Sequence, residues 1–437
     1  MQSSPVEKIK EFDKFGSVLG LERMEKLMEL LGNPQDGLKY IHVAGTNGKG
    51  SVCRYIYNAL LSNGYDVGLF TSPFLEVFNE RVEINGALIS DVDLGICADK
   101  VIEKADEMVK SGYASPTEFE IVTAIAFVYF AMKKAEFVIL EVGLGGRGDS
   151  TNIIKKPEIS IITSISYDHM DRLGSTLGLI AGEKAGIIKE GVPVVMNVDE
   201  REAQIPIAKA AYEKNAVLYD VKKIPYFVVE KNAHKYVIDT NIYGTDYSNI
   251  EISMPGKHQV KNVLTALTAL EILRKQGKIR VERSRLYDGI FKTSHKGRFE
   301  RMGGKIVLDG AHNEAGARAL ADTLKDLYPE KKILALIGIL KDKEYKKIIS
   351  IFSEVVTKFI FTEIDNPRKC SVKELARALS KDLESESEHC AEFSDNVEAL
   401  EFALNELENY DLLLIAGSLY LIGDLRPIII NKLTASD

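Results

Sequence analysis

The chain has little of what would tie it to a membrane, a polynucleotide or an oxidising compartment. No apolar run approaches the roughly 18 residues that a membrane span requires. Its opening residues, MQSSPVEKIKEFDKFG, are too polar and charged for a secretion signal or an anchor. There is no basic excess: the formal net charge is −8, whereas a polynucleotide binder ordinarily carries a surplus of Lys and Arg. Cysteine is scarce. Cys53, Cys97, Cys370 and Cys390 lack the paired spacing of a zinc site or a disulfide framework and read as free thiols in a reducing compartment. Internal repeats and low-complexity tracts are absent as well. These absences predict a soluble, cytoplasmic protein with neither nucleic acid nor membrane as partner; a monomer with small-molecule substrates is a separate expectation that the absences do not themselves supply.

What is present is an ordinary globular balance, 45% hydrophobic and 27% charged, in 437 residues, enough for about two to three domains. Between residues 39 and 165 short apolar runs alternate with helical patterns. KYIHVA, a helix over 49–63 and DVGLFTS are followed by a helix over 118–133, FVILEVG and EISIITSI. Helices between buried β-branched runs predict an α/β fold, a mostly parallel sheet flanked by helices. Ligands of such sheets bind beyond the carboxyl ends of the strands. Residues 220–250 alternate polar and apolar like an antiparallel insertion, after which HQVKNVLTALTALEILRKQG resumes as an amphipathic helix. The polar stretch KTSHKGR (292–298) breaks the periodicity and reads as a linker. Beyond it KIVLDG, a helix over 315–327, KILALIG, KFIFTEI and LLLIAGS predict a second, smaller Rossmann-like α/β domain with no phosphate loop of its own.

The most informative segment is Ile41-His42-Val43-Ala44-Gly45-Thr46-Asn47-Gly48-Lys49-Gly50-Ser51-Val52: strand, glycine-dense loop, helix start. Such a turn aims backbone N–H groups and a positive helix end at a phosphate chain; Lys49 adds a mobile charge and Ser51 a hydroxyl where a magnesium ion would sit. The spacing differs from the common phosphate loop: only two residues separate Gly45 from Gly48, and Gly50 stands between Lys49 and Ser51. A second glycine-rich run, Glu141 through Asn152, also follows a strand, and a carboxylate at a strand end facing a phosphate loop is a natural magnesium ligand. Asp168-His169 follows the next strand-like run. On spacing alone Glu183-Lys184 reads as a solvated pair on a helix.

The Gly-Lys-Gly-Ser run resembles the Mur-ligase-like amide-forming enzymes, and in particular their folate branch, the folylpolyglutamate and dihydrofolate synthases. The resemblance extends over nearly the whole chain, from Gly20 to Ala416-Gly417-Ser418. It implies an ATP-binding central domain with folate-site elements over 1–296 and a ligase domain over 297–437. It also implies an ATP-dependent acid–amino-acid ligase that adds L-glutamate to the γ-carboxylate of a reduced folate, and to dihydropteroate to make dihydrofolate. ATP would contact Thr46, Asn47, Gly48, Lys49, Gly50, Ser51, Asn262, Arg298 and Asp309. One Mg²⁺ would be held by Ser51, Ser72 and Glu141. A second would lie on His169, Glu141 and Lys184, the last carried as a carbamate, as in the family's Glu-Lys-Ala-Gly-Ile segment. The folate pocket would be bordered by Leu19, Gly20, Leu21, Glu22 and Arg23, by Thr117, Glu118, Phe119 and Glu120, and by Gly148, Asp149 and Ser150. Where the family's motif has Leu or Phe, this chain has Gly148, and Val18 replaces an Asp of some bifunctional members. His312 would assist the incoming amine. The competing readings are a ligase acting on a cell-wall precursor, whose members usually read Gly-Lys-Thr, and a P-loop ATPase without an amino-acid acceptor.

Overall fold

The computed structural model describes residues 4–16, 18–379 and 390–435. Two compact units divide the chain. The first comprises Met1–Phe227, Ile238–Glu251 and Lys261–Thr293, the second Val228–Val237, Ile252–Val260 and Ser294–Asp437.

Eight strands of the first unit form one sheet: β1 (Lys39–Ala44), β2 (Val67–Phe70), β3 (Val82–Ile84), β4 (Ala87–Leu88), β5 (Phe137–Glu141), β6 (Ile159–Ile162), β7 (Val194–Met196) and β8 (Leu218–Asp220). Their order is β4-β3-β2-β5-β1-β6-β7-β8. Pairing is parallel from β2 through β8, with β3 and β4 antiparallel at one edge. The inner strands are apolar at successive positions because helices cover both faces of the sheet, so no alternation survives. The helix Glu118–Met132 is buried on almost every side, from Glu120 to Phe130. That is the place of a helix with no polar face.

Register decides where the chemistry goes. Val43 of β1 pairs with Glu141 of β5, and Ala44 pairs with Ile162 of β6. The carboxyl ends of three neighbouring strands therefore share one sheet edge, and β1 leaves the sheet between two strands that continue elsewhere. Such a switch point opens a crevice for a ligand.

Strands β9 (Tyr226–Lys231), β10 (Tyr236–Ile242) and β11 (Thr245–Ile252) make a separate sheet in the order β11-β10-β9. Only Tyr243 and Gly244, both at positive φ, join β10 to β11. A two-residue connection is an antiparallel hairpin, as the alternating sequence predicts.

The second unit carries β12 (Glu300–Met302), β13 (Ile306–Asp309), β14 (Ile333–Ile337), β15 (Lys358–Thr362), β16 (Cys390–Phe393) and β17 (Leu412–Ala416), in the order β12-β13-β17-β14-β15-β16. Only β12 is antiparallel. The sequence reading had missed β3, β4, β7, β8, β12 and β16. All are four residues or fewer, too short for periodicity to register.

Candidate active site

Each strand end at the shared edge contributes one part. After Ala44 the chain turns through Gly45 and Gly48, at φ 152° and 85°, and a helix begins at Lys49. A Cβ on Gly48 would stand 2.6 Å from Asn262 Oδ1, so only glycine allows both this turn and the close approach of Asn262. The segment after β6 stitches the loop down from the other side. Thr46 N–H donates to the Ser164 carbonyl (2.7 Å), Thr163 Oγ1 to the Asn47 carbonyl (2.8 Å), and Ser166 N–H to Thr46 Oγ1 (3.2 Å). A helix start of this kind directs its first-turn N–H groups and its dipole at an anion.

Beneath the loop two lysines converge. Lys49 Nζ donates to the carbonyls of Gly45 (3.1 Å) and Thr46 (3.2 Å), and Lys184 Nζ donates to the same Gly45 carbonyl (2.9 Å). Lys184 is 5% exposed. Burial first and the charge of Lys49 second bring its pKa down to about 7, against the pull of Asp168 and Asp149.

Lys184 is held there by a crossing of two backbones. The 143–149 loop passes over the turn that follows the helix Leu177–Lys184, and Arg147 N–H donates to the Glu183 carbonyl at 2.8 Å. A Cβ on Gly146 would lie 2.8 Å from that carbonyl oxygen, and one on Gly186 would lie 2.4 Å from Arg147 Cα. Asn152 Nδ2 staples the crossing by donating to the carbonyls of Arg147 (2.9 Å) and Gly186 (3.2 Å).

Glu141 ends β5, is buried, and accepts from Ser72 N–H at 3.3 Å. It also lies within electrostatic reach of the loop helix: burial raises the Cys53 thiol most, and Glu141 raises it further. Ser51 is buried in the first turn of that helix. Among the described residues no group of three or more His, Cys, Asp and Glu is gathered for a metal. Two hydroxyls and one carboxylate nevertheless suit a hard cation that keeps water and phosphate oxygens as its other ligands. His169 takes a left-handed conformation at the start of the short helix Met170–Leu173, half exposed, with its N–H on Asp168 Oδ1 (3.0 Å).

The three segments expected around a folate meet at the 143–149 loop, but several of their charges are committed to one another. Gly20 N–H donates to the Gly148 carbonyl (3.0 Å), and a Cβ on Gly148 would approach Leu19 Cβ to 3.2 Å. Leu21 precedes the helix Glu22–Leu30. Arg23 grips buried Glu120 with Nε on Oε2 and Nη2 on Oε1, each at 3.0 Å. Glu120 also closes a capping box with Thr117. The Phe119 ring fills the space under Gly143, where a Cβ would be 2.4 Å away. Asp149 accepts from Leu144 N–H (2.8 Å) and Thr151 N–H (3.0 Å), and the next residue, Ser150, is buried. Glu118 stays half-buried 3.8 Å from Arg81, its carboxyl raised mainly by burial.

In the second unit Asp309 ends β13, buried, with its oxygens on the N–H groups of Phe299 (2.8 Å) and Ala311 (2.9 Å). Burial raises its pKa although Arg298 opposes this. His312 Nδ1 is 2.7 Å from the Gly310 carbonyl.

Sequence reasoning missed His42, Thr151, Asn152, Thr163 and Ser166. Their signal was polarity in an apolar context, His42 inside KYIHVA and Thr163 at the end of EISIIT.

The chain matches the Mur ligase middle domain over residues 43–270 and the Mur ligase glutamate ligase domain over residues 297–419. It is 38% identical over 420 residues to the dihydrofolate synthase/folylpolyglutamate synthase of Bacillus subtilis, covering 94% of this chain and 95% of that protein. It belongs to the folate branch of the Mur ligase family. Among solved structures, folylpolyglutamate synthase from Thermotoga maritima superposes with a TM-score of 0.85 at 32% identity, covering 98% of this chain and 97% of that one. Escherichia coli FolC in complex with DHPP and ADP superposes with a TM-score of 0.87 at 28% identity, covering 99% of each chain. Both structures are matched over nearly the full length of this chain.

Proposed function

We propose that the chain is an ATP-dependent ligase that joins L-glutamate to the γ-carboxylate of a reduced folate, and to dihydropteroate to give dihydrofolate. A carboxylate is a poor acyl donor at neutral pH. The acceptor carboxylate attacks the γ-phosphorus of ATP, which gives an acyl phosphate and ADP. The α-amine of glutamate then attacks the acyl carbon, and phosphate leaves from a tetrahedral intermediate. The protein supplies position and charge rather than a covalent partner. Lys49 and the loop amides hold the phosphates, with Asn262, Arg298 and Asp309 assigned to the nucleotide. Ser51, Ser72 and Glu141 are the donors for one Mg²⁺, and Glu141, His169 and carbamylated Lys184 for a second. Bound there, magnesium supplies charge neutralisation at the transferring phosphoryl oxygens. His312 assists the glutamate amine.

The observation that carries this reading is the meeting of Lys49 and Lys184 on one carbonyl. Two cations at a single oxygen, Lys184 buried and Lys49 partly so, repel each other, and the cost falls if one amine is neutral. A neutral buried amine adds to CO₂ through its nitrogen lone pair and releases one proton, and the resulting carbamate is an anionic oxygen ligand beside the phosphate loop. Nucleotide hydrolysis alone needs no such group, which favours the ligase over an ATPase. The test is Mg²⁺- and ATP-dependent phosphate release that requires both L-glutamate and a pteridine carboxylate. Release without glutamate sinks it.

A further inference from the structure

His42 lies inside β1 between Ile41 and Val43, wholly buried. Its Nε2 is 2.9 Å from Thr151 Oγ1, and Thr151 Oγ1 is 2.5 Å from Asp149 Oδ1. A hydroxyl has one proton to give. Asp149 already accepts from the N–H groups of Thr151 and Leu144. It is therefore an acceptor toward the hydroxyl, so Thr151 donates to Asp149 and receives Nε2–H from His42. This fixes the imidazole tautomer. The other ring nitrogen, Nδ1, is buried with no partner. A second proton on the ring would be an unsatisfied donor, and a charge near Lys189 besides. Burial and Lys189 together hold the ring neutral, its pKa pushed down to about 3. His42 takes no part in proton transfer; it is a permanent donor.

Asp149 in turn clasps Leu144 N–H and so closes the 143–149 loop that crosses the turn just after Lys184. We propose that His42 is a positioning residue of the ligase site, holding that loop through Thr151 and Asp149. The proposal rests on the ligase reading above. Because β1 runs from His42 into the phosphate loop three residues later, one strand sets both the loop that meets the nucleotide and the loop that roofs Lys184. Among the apolar Ile41, Val43 and Ala44, the imidazole makes the one side-chain hydrogen bond that ties this strand to Thr151.

The test uses His42→Leu, His42→Gln and Thr151→Val in the full-length protein. Gln can still donate to Thr151, whereas Leu cannot, and Val removes the hydroxyl at nearly constant volume. Loss of the relay should lower kcat/KM for the pteridine acceptor at least tenfold in His42→Leu and Thr151→Val, with the KM for ATP changed less than twofold. His42→Gln should recover most of the loss, and the Leu/Val double variant should be no worse than the worse single. Equal losses toward ATP and acceptor, unrelieved by Gln, would mean a merely structural histidine and overturn the proposal. Two readouts do not depend on turnover. Nitrogen-15 NMR of the wild-type ring should show the neutral Nε2–H tautomer from pH 5 to pH 8, and Thr151→Val should accelerate hydrogen exchange at the amides of Leu144 and position 151. An imidazolium or the Nδ1–H tautomer, or unchanged exchange, overturns the relay. A wild-type protein that releases no phosphate with any pteridine overturns the ligase reading instead.

Discussion

Lys184→Ala removes the buried amine on which the proposed chemistry turns, and turnover should fall on the order of 10²-fold or more, the usual cost of losing one electrostatic partner of a transition state. The neutral form of Lys184 sets the size of the accompanying pH effect. With a pKa of about 7, about three quarters of the amine is neutral at pH 7.5, against about one part in 10³ for a lysine at its ordinary value. Carbamate formation needs that neutral amine, so wild-type activity in bicarbonate should rise with pH through about 7 and fall when CO₂ is purged. The stability sign follows from the same shift. The folded pKa lies below the unfolded one, so the unfolded chain binds more protons between about pH 7 and the ordinary lysine value, and stability rises with pH across that window. The assay is initial-rate phosphate release with ATP, Mg²⁺, L-glutamate and a reduced folate from pH 6 to pH 9, repeated with Lys184→Ala plus formate or acetate. Partial recovery by the small carboxylates is expected in the variant only. Undiminished turnover in Lys184→Ala would refute the reasoning.

Lys49→Ala should abolish activity, at least 10²-fold, and leave the circular dichroism spectrum unchanged; normal turnover would mean the loop does not grip phosphates. Gly186→Ala drives a methyl to 2.4 Å from Arg147 Cα. It should destabilise by about 1–3 kcal/mol and lower kcat, read by denaturant titration and rate together; neither changing would show that the crossing is loose. Arg23→Ala strands the buried carboxylate of Glu120, with a cost of about 3 kcal/mol in urea unfolding, whereas a loss below about 0.5 kcal/mol would mean Thr117 alone satisfies it. Arg147→Ala removes an exposed pair with Glu183 and an exposed hydrogen bond to the Gly182 carbonyl, and should cost less than about 1 kcal/mol.

How legible the site was depended on how local its signal is. The phosphate loop could be read directly, because glycine spacing, Lys49 and Ser51 lie within seven residues. Glu141 was legible as a carboxylate closing an apolar run. Lys184 was not: in sequence it is one of a Glu-Lys pair, and its meaning comes from burial and from Lys49, which is remote in the chain. The same holds for Arg23 and Glu120. Both stand in segments expected at the folate pocket, yet they spend their charges on each other, a contact that no local pattern encodes. His42 shows the converse. A buried polar residue in an apolar strand is visible in the sequence, but its partner Thr151 is over a hundred residues away. For the fold, the longer central strands carried enough β-branched residues to be found, whereas β7 and β8 are formed by three residues each and owe their existence to the neighbours they pair with.

The most direct measurement is phosphate release from ATP and Mg²⁺ in the presence of L-glutamate with dihydropteroate, with a reduced folate, or with neither. Release that requires glutamate and occurs with both pteridines is the expected result; release with reduced folate alone would restrict the activity to polyglutamate synthesis. Release with neither pteridine, or without any need for glutamate, would contradict the ligase reading.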